Sequence, residues 1–192
     1  MEYWNHTTEV LGALAGLLYV YLEIRQRRWM WIVGGLSALV YIFVFFDAGL
    51  YAAMAFQLYY IAASIYGWKK WGRGSSAAED VHSTVRMSLK TAFVSMALIA
   101  AATFLFWILL RRIDSDPMPF ADGFIVALSM VATYWVGNKY IEHWYLWFIA
   151  NSLSIYMYMS QELYPTMILY IVFLIASVIG YIRWRKFRRI LI

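Results

Sequence analysis

One stretch of the chain carries aromatic and polar side chains at a spacing that suits the binding of a small molecule. Trp144, Trp147, Asn151 and Ser154 follow one another at intervals of three, four and three residues. Such intervals place side chains on one face of an α-helix. Indole rings stack on flat solutes or hold organic cations, while amides and hydroxyls both donate and accept hydrogen bonds. The pattern predicts a site for a flat aromatic solute with hydroxyl or amino groups. Packing against another helix is the alternative.

Gln57 and Tyr60, three residues apart, form a second candidate face. A glutamine inside an apolar run needs partners or water, because an unsatisfied amide in hydrocarbon costs several kcal/mol. These residues therefore predict either a further part of the binding site or a hydrogen bond between helices.

The residue types exclude covalent and metal chemistry. The sequence has no cysteine and no phosphate-binding loop of the G-x-x-x-x-G-K-[ST] type. Its histidines (His6, His82 and His143) and its lysines lie at or beyond the ends of the apolar segments. We expect no enzyme activity, no cofactor and no metal site. The absence of a carboxylate deep in an apolar segment also disfavours coupling to protons.

The hydrophobic composition indicates that these residues lie on membrane-spanning helices. The 192 residues are 64% hydrophobic and 14% charged, against about 25% charged in ordinary soluble domains. About 20 apolar residues cross a bilayer as a helix, so the chain is expected to be an all-α polytopic membrane protein with the lipid bilayer as a partner. The predicted spans are 9–24, 29–46, 50–68, 88–110, 119–137, 142–159 and 164–183.

The basic residues indicate the orientation of these seven spans. All Lys and Arg residues except Arg111 and Arg112 fall on one side of the membrane. By the positive-inside rule that side is cytoplasmic, which places the N-terminus outside and the C-terminus inside. The net charge of +5 is thus a topology signal and predicts no nucleic-acid partner.

The chain contains an internal repeat. A shift of 113 residues brings 31–71 onto 144–184 without a gap, and Gly67 and Trp71 match Gly180 and Trp184. Trp31 and Tyr41 then occupy the face that matches Trp144 and Ser154. Two three-helix copies joined by one helix give a 3+1+3 parallel repeat like that of the SWEET sugar transporters, whose substrate site lies between the repeats.

The predicted organisation is one membrane domain, 1–192. It divides into a three-helix repeat at 9–71, a linker with the connecting helix at 72–112, and a second three-helix repeat at 113–192.

The W-x-x-W-x-x-x-N motif of Trp144, Trp147 and Asn151, together with the G-x-x-x-W motif that ends at Trp184, resembles the PnuC-type vitamin transporters. The resemblance implies a homotrimer in the bacterial inner membrane. It also implies facilitated diffusion of an unphosphorylated vitamin, nicotinamide riboside or thiamine, which a cytosolic kinase then traps. A receptor or assembly subunit that binds a ligand without moving it is the alternative.

Among the site residues, Gln57, Trp147 and Asn151 match the region in which this family contacts substrate. The geometry of the helix faces extends the set. The predicted substrate-binding residues are Trp31, Tyr41, Gln57, Tyr60, Trp144, Trp147, Asn151 and Ser154.

Overall fold

The apolar segments form helices, because a chain that crosses hydrocarbon must satisfy its peptide groups internally. The computed structural model describes residues 2–47, 51–72, 83–112 and 117–187, which contain seven α-helices and no β-strand. The helices are α1 (Glu2–Ile24), α2 (Trp29–Asp47), α3 (Tyr51–Gly72), α4 (Leu89–Leu110), α5 (Pro119–Gly137), α6 (His143–Ser160) and α7 (Tyr164–Arg185). Most of the predicted hydrophilic linker and the last basic residues lie outside the described residues.

The predicted all-α fold with seven helices is confirmed, and the bounds of α5 are those of the predicted span. Two helices extend beyond their spans by four residues or more. α1 begins at Glu2, seven residues early, and α3 continues past Trp68 to Gly72. Hydropathy detects only the part of a helix that lies in hydrocarbon, whereas the helix itself continues wherever polar residues also suit it. Lys69 and Lys70 in the last turn of α3 are favourable beside the carbonyl end of the helix dipole.

Length and composition alone qualify three of the described helices as membrane spans, namely α4, α5 and α7. The segments Val10–Ile24 and Trp29–Val44 are also apolar but shorter.

The chain divides into two compact units, Met1–His82 and Ser83–Ile192. In the first unit, α2 packs against both α1 and α3. In the second unit, α4 packs on α5, α5 on α6, and α6 on α7. The core of the second unit is apolar and is formed by Ile99, Ala127, Leu128, Ala132, Trp135, Leu146 and Ala150. The predicted connecting helix, α4, therefore packs as part of the second unit.

The segment before α4 that contains Thr84 and Val85 is hydrogen-bonded to the loop between α5 and α6. The amide of Val85 donates to the Lys139 carbonyl at 3.0 Å, and the amide of Ile141 donates to the Val85 carbonyl at 3.2 Å. The Thr84 hydroxyl donates to the carbonyl of Trp184 at 3.2 Å. These bonds connect the start of the second unit to the ends of α5 and α7.

A buried hydrogen bond joins α4 to α5, and its removal should lower stability. The indole Nε1 of Trp135 donates to the Ser95 hydroxyl at 3.1 Å. Ser95→Ala leaves that donor unpaired in an apolar core, at a cost of about 1 kcal/mol. A cost of this size corresponds to a loss of about 2–4 °C in melting temperature for a chain of this size. Thermal unfolding of the detergent-purified protein measures it.

Ser129→Ala is the matched control for this prediction. The Ser129 hydroxyl bonds only the Ile125 carbonyl of its own helix, at 2.8 Å, so the substitution should leave the melting temperature almost unchanged. Equal melting temperatures for Ser95→Ala and Ser129→Ala would show that the bond to Trp135 contributes no stability.

Candidate functional site

The first predicted site tryptophan, Trp31, is a packing residue between α2 and α3. Its indole lies directly against Gly67, where an added Cβ would overlap the ring. It also meets Trp71 edge-to-face, with 5.7 Å between ring centroids and 88° between planes. Trp31 is only 2% exposed. The glycine is required because any larger residue would occupy the space of the indole.

The second unit contains the same arrangement at the matching positions. The Trp144 indole lies against Gly180 and meets Trp184 edge-to-face, at 5.7 Å and 87°. Trp144 is 1% exposed. The matching residues of the repeat thus make matching contacts within each unit. Both indoles are committed to helix packing, and their contact with a substrate stays a prediction.

Asn151 is fixed by a short hydrogen-bond chain between α6 and α7. Its Nδ2 donates to the Ser177 hydroxyl at 3.2 Å. The Ser177 hydroxyl donates to the carbonyl of Phe173, one turn earlier, at 2.9 Å. Asn151 is buried, at 7% exposure. Asn151 therefore makes the contact with a neighbouring helix that the sequence pattern left as the alternative to ligand binding. The NH₂ group of its amide makes this contact.

The other predicted residues of α6 differ in burial. Ser154 lies fully inside the second unit, at 1% exposure. Trp147 is half-buried and packs against the apolar core. One turn beyond Ser154, the ring of Tyr158 lies 5.1 Å from that of Tyr170 on α7. The predicted face thus combines an amide, hydroxyls and partly accessible aromatic rings, and the helix that carries it has no charged residue.

In the first unit the predicted residues occupy two places. Tyr41 on α2 points its hydroxyl at Gly12 of α1, where a Cβ would overlap it. Gln57 and Tyr60 on α3 are half-buried, and the Tyr60 ring lies 5.4 Å from the Tyr59 ring. A cavity of about 320 Å³ between α2 and α3 is lined by Trp31 and by none of these three residues.

His143 is a buried polar residue that sequence reasoning left at the end of a span. Its ring is fully buried, 4.5 Å from the Trp144 ring and 4.6 Å from the Trp184 ring. Its Nδ1 donates to the Tyr140 carbonyl at 2.6 Å. The sequence alone did not indicate this burial. The shift of 113 residues aligns His143 with Met30, which the structure also shows to be fully buried.

In the part of the chain that the structure describes, no three His, Asp or Glu side chains gather. Asp, Glu, Lys and Arg occur in α2–α7 only in the first or last turn. The interior of these helices offers hydroxyls, amides and aromatic rings but no ionic group. Such side chains recognise a ligand by stacking and neutral hydrogen bonds.

Comparison with known proteins gives consistent matches over most of the chain. Residues 6–186 match the family described as nicotinamide mononucleotide transporter. The nicotinamide riboside transporter PnuC of Escherichia coli (strain K12) is 26% identical over 200 residues, which cover 92% of this chain and 84% of that protein. The riboflavin/roseoflavin transporter RibM of Streptomyces davaonensis is 28% identical over 152 residues, which cover 77% and 70%.

A solved structure shares this fold. The crystal structure of the vitamin B3 transporter PnuC matches with a TM-score of 0.71 and 23% sequence identity, over 92% of this chain and 79% of that one.

Proposed function

Because the chain belongs to the nicotinamide mononucleotide transporter family, we propose that it carries nicotinamide riboside across the membrane by facilitated diffusion. The family predicted from the tryptophan and glycine motifs is confirmed, and the chain is a multi-pass membrane transporter. The observation that carries the choice of substrate is the uncharged polar face of α6, around Trp147 and Asn151.

The absence of basic residues from the helix interiors favours the riboside over the mononucleotide of the family's description. A phosphate group is normally bound by Arg or Lys through charge-assisted hydrogen bonds. In α5, α6 and α7 the sequence places basic residues only in the last turn of α7. The neutral ribose hydroxyls and the carboxamide of the riboside, in contrast, suit amide and hydroxyl partners. The cationic nicotinamide ring suits aromatic faces.

Asn151, Trp147 and Ser154 on α6 and Gln57 and Tyr60 on α3 are our candidates for the substrate contacts. Their support is their half-buried or buried position on helices whose interiors carry no charged residue, and their polar chemistry. Trp31, Tyr41 and Trp144 are candidates for supporting roles, because each already packs against a glycine.

We further propose the 3+1+3 parallel repeat with the N-terminus outside and the C-terminus in the cytoplasm. The matching Trp31–Gly67 and Trp144–Gly180 contacts support the repeat, and the distribution of Lys and Arg supports the orientation. A homotrimer and trapping by a cytosolic kinase complete the proposal on the strength of the family resemblance. Trapping is needed for accumulation because facilitated diffusion by itself only equalises the electrochemical potential of the substrate on the two sides.

Uptake should be independent of ion gradients. Proton-coupled carriers use Asp, Glu or His side chains within the membrane, and α2–α7 have these only in their terminal turns. With the membrane potential held at zero, we expect the initial rate of riboside uptake into proteoliposomes to change less than about twofold when a proton or sodium gradient is imposed or collapsed. Uptake that stops when the proton gradient collapses would contradict facilitated diffusion.

A binding panel tests the proposed substrate. Isothermal titration of the purified protein with nicotinamide riboside, thiamine and riboflavin should give the lowest Kd for the riboside. Thiamine is the competing candidate because it is also a flat organic cation, and riboflavin is included because of the similarity to RibM. Tighter binding of thiamine or riboflavin would reject the proposed substrate. Tight riboside binding without saturable flux in proteoliposomes would instead identify a receptor.

A further inference from the structure

The hydrogen bonds around Ser177 determine which way the amide of Asn151 faces. A serine hydroxyl has one proton to donate and two lone pairs that accept. The Ser177 proton is used on the carbonyl of Phe173, at 2.9 Å. Only lone pairs remain for Asn151, so the asparagine must present its NH₂ group to Ser177, as the 3.2 Å contact from Nδ2 shows.

The opposite orientation of the amide would bring two acceptors together. If the Asn151 carbonyl oxygen faced Ser177, the hydroxyl would have to release Phe173 to donate to it. The Phe173 carbonyl would still accept the backbone N–H of Ser177 within α7, but the opposite orientation makes one side-chain hydrogen bond fewer. Asn151 and Ser177 are 7% and 3% exposed, so water does not readily replace that bond, and its loss between buried groups is unfavourable. The chain Asn151–Ser177–Phe173 therefore holds the Asn151 carbonyl oxygen on the side away from α7.

We infer that Ser177 is a positioning residue that makes Asn151 a hydrogen-bond acceptor toward the substrate. The inference rests on the proposed function, in which Asn151 contacts nicotinamide riboside. An acceptor at this point selects a ligand group that donates, and the carboxamide N–H of the riboside is such a group. The riboside of nicotinic acid has a carboxylate there, which only accepts and which carries a charge. Ser177 thus sets the preference for carboxamide over carboxylate without touching the ligand.

The first repeat provides a natural comparison for this arrangement. Ser64 is the residue that matches Ser177, but Ala38 occupies the position that matches Asn151. Ser64 packs instead against Gly34 and Gly35 of α2. A serine at this position of α3 therefore has no amide to orient, which makes Ser64→Ala the matched control.

The test measures binding of the two ribosides to the purified, full-length protein. In Ser177→Ala the asparagine is free to turn by 180°, so we expect the preference for the carboxamide riboside to fall by about fivefold or more. Ser177→Cys should have a similar effect, because sulfur is a weak acceptor, and it provides a second variant of nearly native volume. Ser177→Thr retains a hydroxyl that bonds the carbonyl one turn earlier, so its preference should stay within about twofold of wild type. Ser64→Ala should also leave the preference unchanged.

Three outcomes separate the possible failures. If Ser177→Ala and Ser177→Cys weaken both ribosides equally, Ser177 is only structural and the inference is overturned. If both variants keep the wild-type preference while Asn151→Leu weakens riboside binding, the inference is also wrong, although the proposed site stands. If Asn151→Leu itself changes neither affinity nor preference, the proposed contact of Asn151 with substrate fails first.

Discussion

Gly180→Ala should lower the melting temperature of the detergent-purified protein by roughly 3–10 °C. An added Cβ would overlap the six-membered ring of Trp144. The indole has nowhere to move, because it is 1% exposed and is enclosed by His143 and Trp184. Overpacking of this kind costs about 1–3 kcal/mol. Alanine has a higher helix propensity than glycine by up to about 1 kcal/mol. The net loss of stability is the steric cost minus this gain. Differential scanning fluorimetry measures the result.

Two further variants test the reason for this loss. At Gly72 an added methyl would meet the end of the flexible Arg28 side chain, so Gly72→Ala is the control and should change the melting temperature little. Trp144→Leu introduced together with Gly180→Ala should restore part of the loss, since the smaller side chain leaves room for the methyl. A Gly180→Ala protein as stable as wild type would show that the indole is not fixed against α7.

Asn151→Leu should lower the kcat/KM of riboside uptake by about tenfold or more while the protein still folds. Leucine has the same branched shape as asparagine, with two larger methyl groups in place of the amide oxygen and nitrogen, and it cannot hydrogen-bond to a ligand or to Ser177. A factor of ten corresponds to about 1.4 kcal/mol, which is near the upper end for one neutral hydrogen bond and within the range of about 1–3 kcal/mol for leaving a buried polar group unpaired. Initial rates of labelled riboside uptake into proteoliposomes, at several concentrations, give the value.

Ser152→Ala is the matched control for Asn151→Leu. Ser152 is the next residue on α6, and its hydroxyl bonds the Phe148 carbonyl of its own helix at 2.8 Å. We expect wild-type uptake from this variant. Similar losses in both variants would indicate a general disturbance of α6 rather than a lost contact with substrate.

The helices were predictable because their signal is local. Hydropathy and the length of the apolar runs located the seven helices of the described residues, and the span at 119–137 agrees with α5 at both ends. The start of α1 at Glu2 was missed because polar residues before Val10 continue the helix outside the hydrocarbon. Hydropathy indicates which residues favour a lipid environment, but a helix can continue beyond the apolar segment.

The roles of individual tryptophans were harder to predict, because spacing defines a helix face but not what fills it. Trp144 and Trp147 are three residues apart and share a face. Trp144 nevertheless packs on Gly180, whereas Trp147 remains half-buried. The glycine that receives the indole lies 36 residues further along the chain, and only the repeat pointed to the pair. The orientation of the Asn151 amide depends on Ser177 in another helix, which no local pattern contains.

Uptake of labelled nicotinamide riboside, measured beside uptake of nicotinamide mononucleotide into the same proteoliposomes, tests the central claim most directly. Without basic residues in the helix interiors, the phosphate has no partner, and its transfer from water is costly. We predict saturable entry of the riboside and entry of the mononucleotide no faster than into protein-free liposomes. Saturable entry of the mononucleotide at a comparable rate, or no riboside entry above that background, would contradict the account.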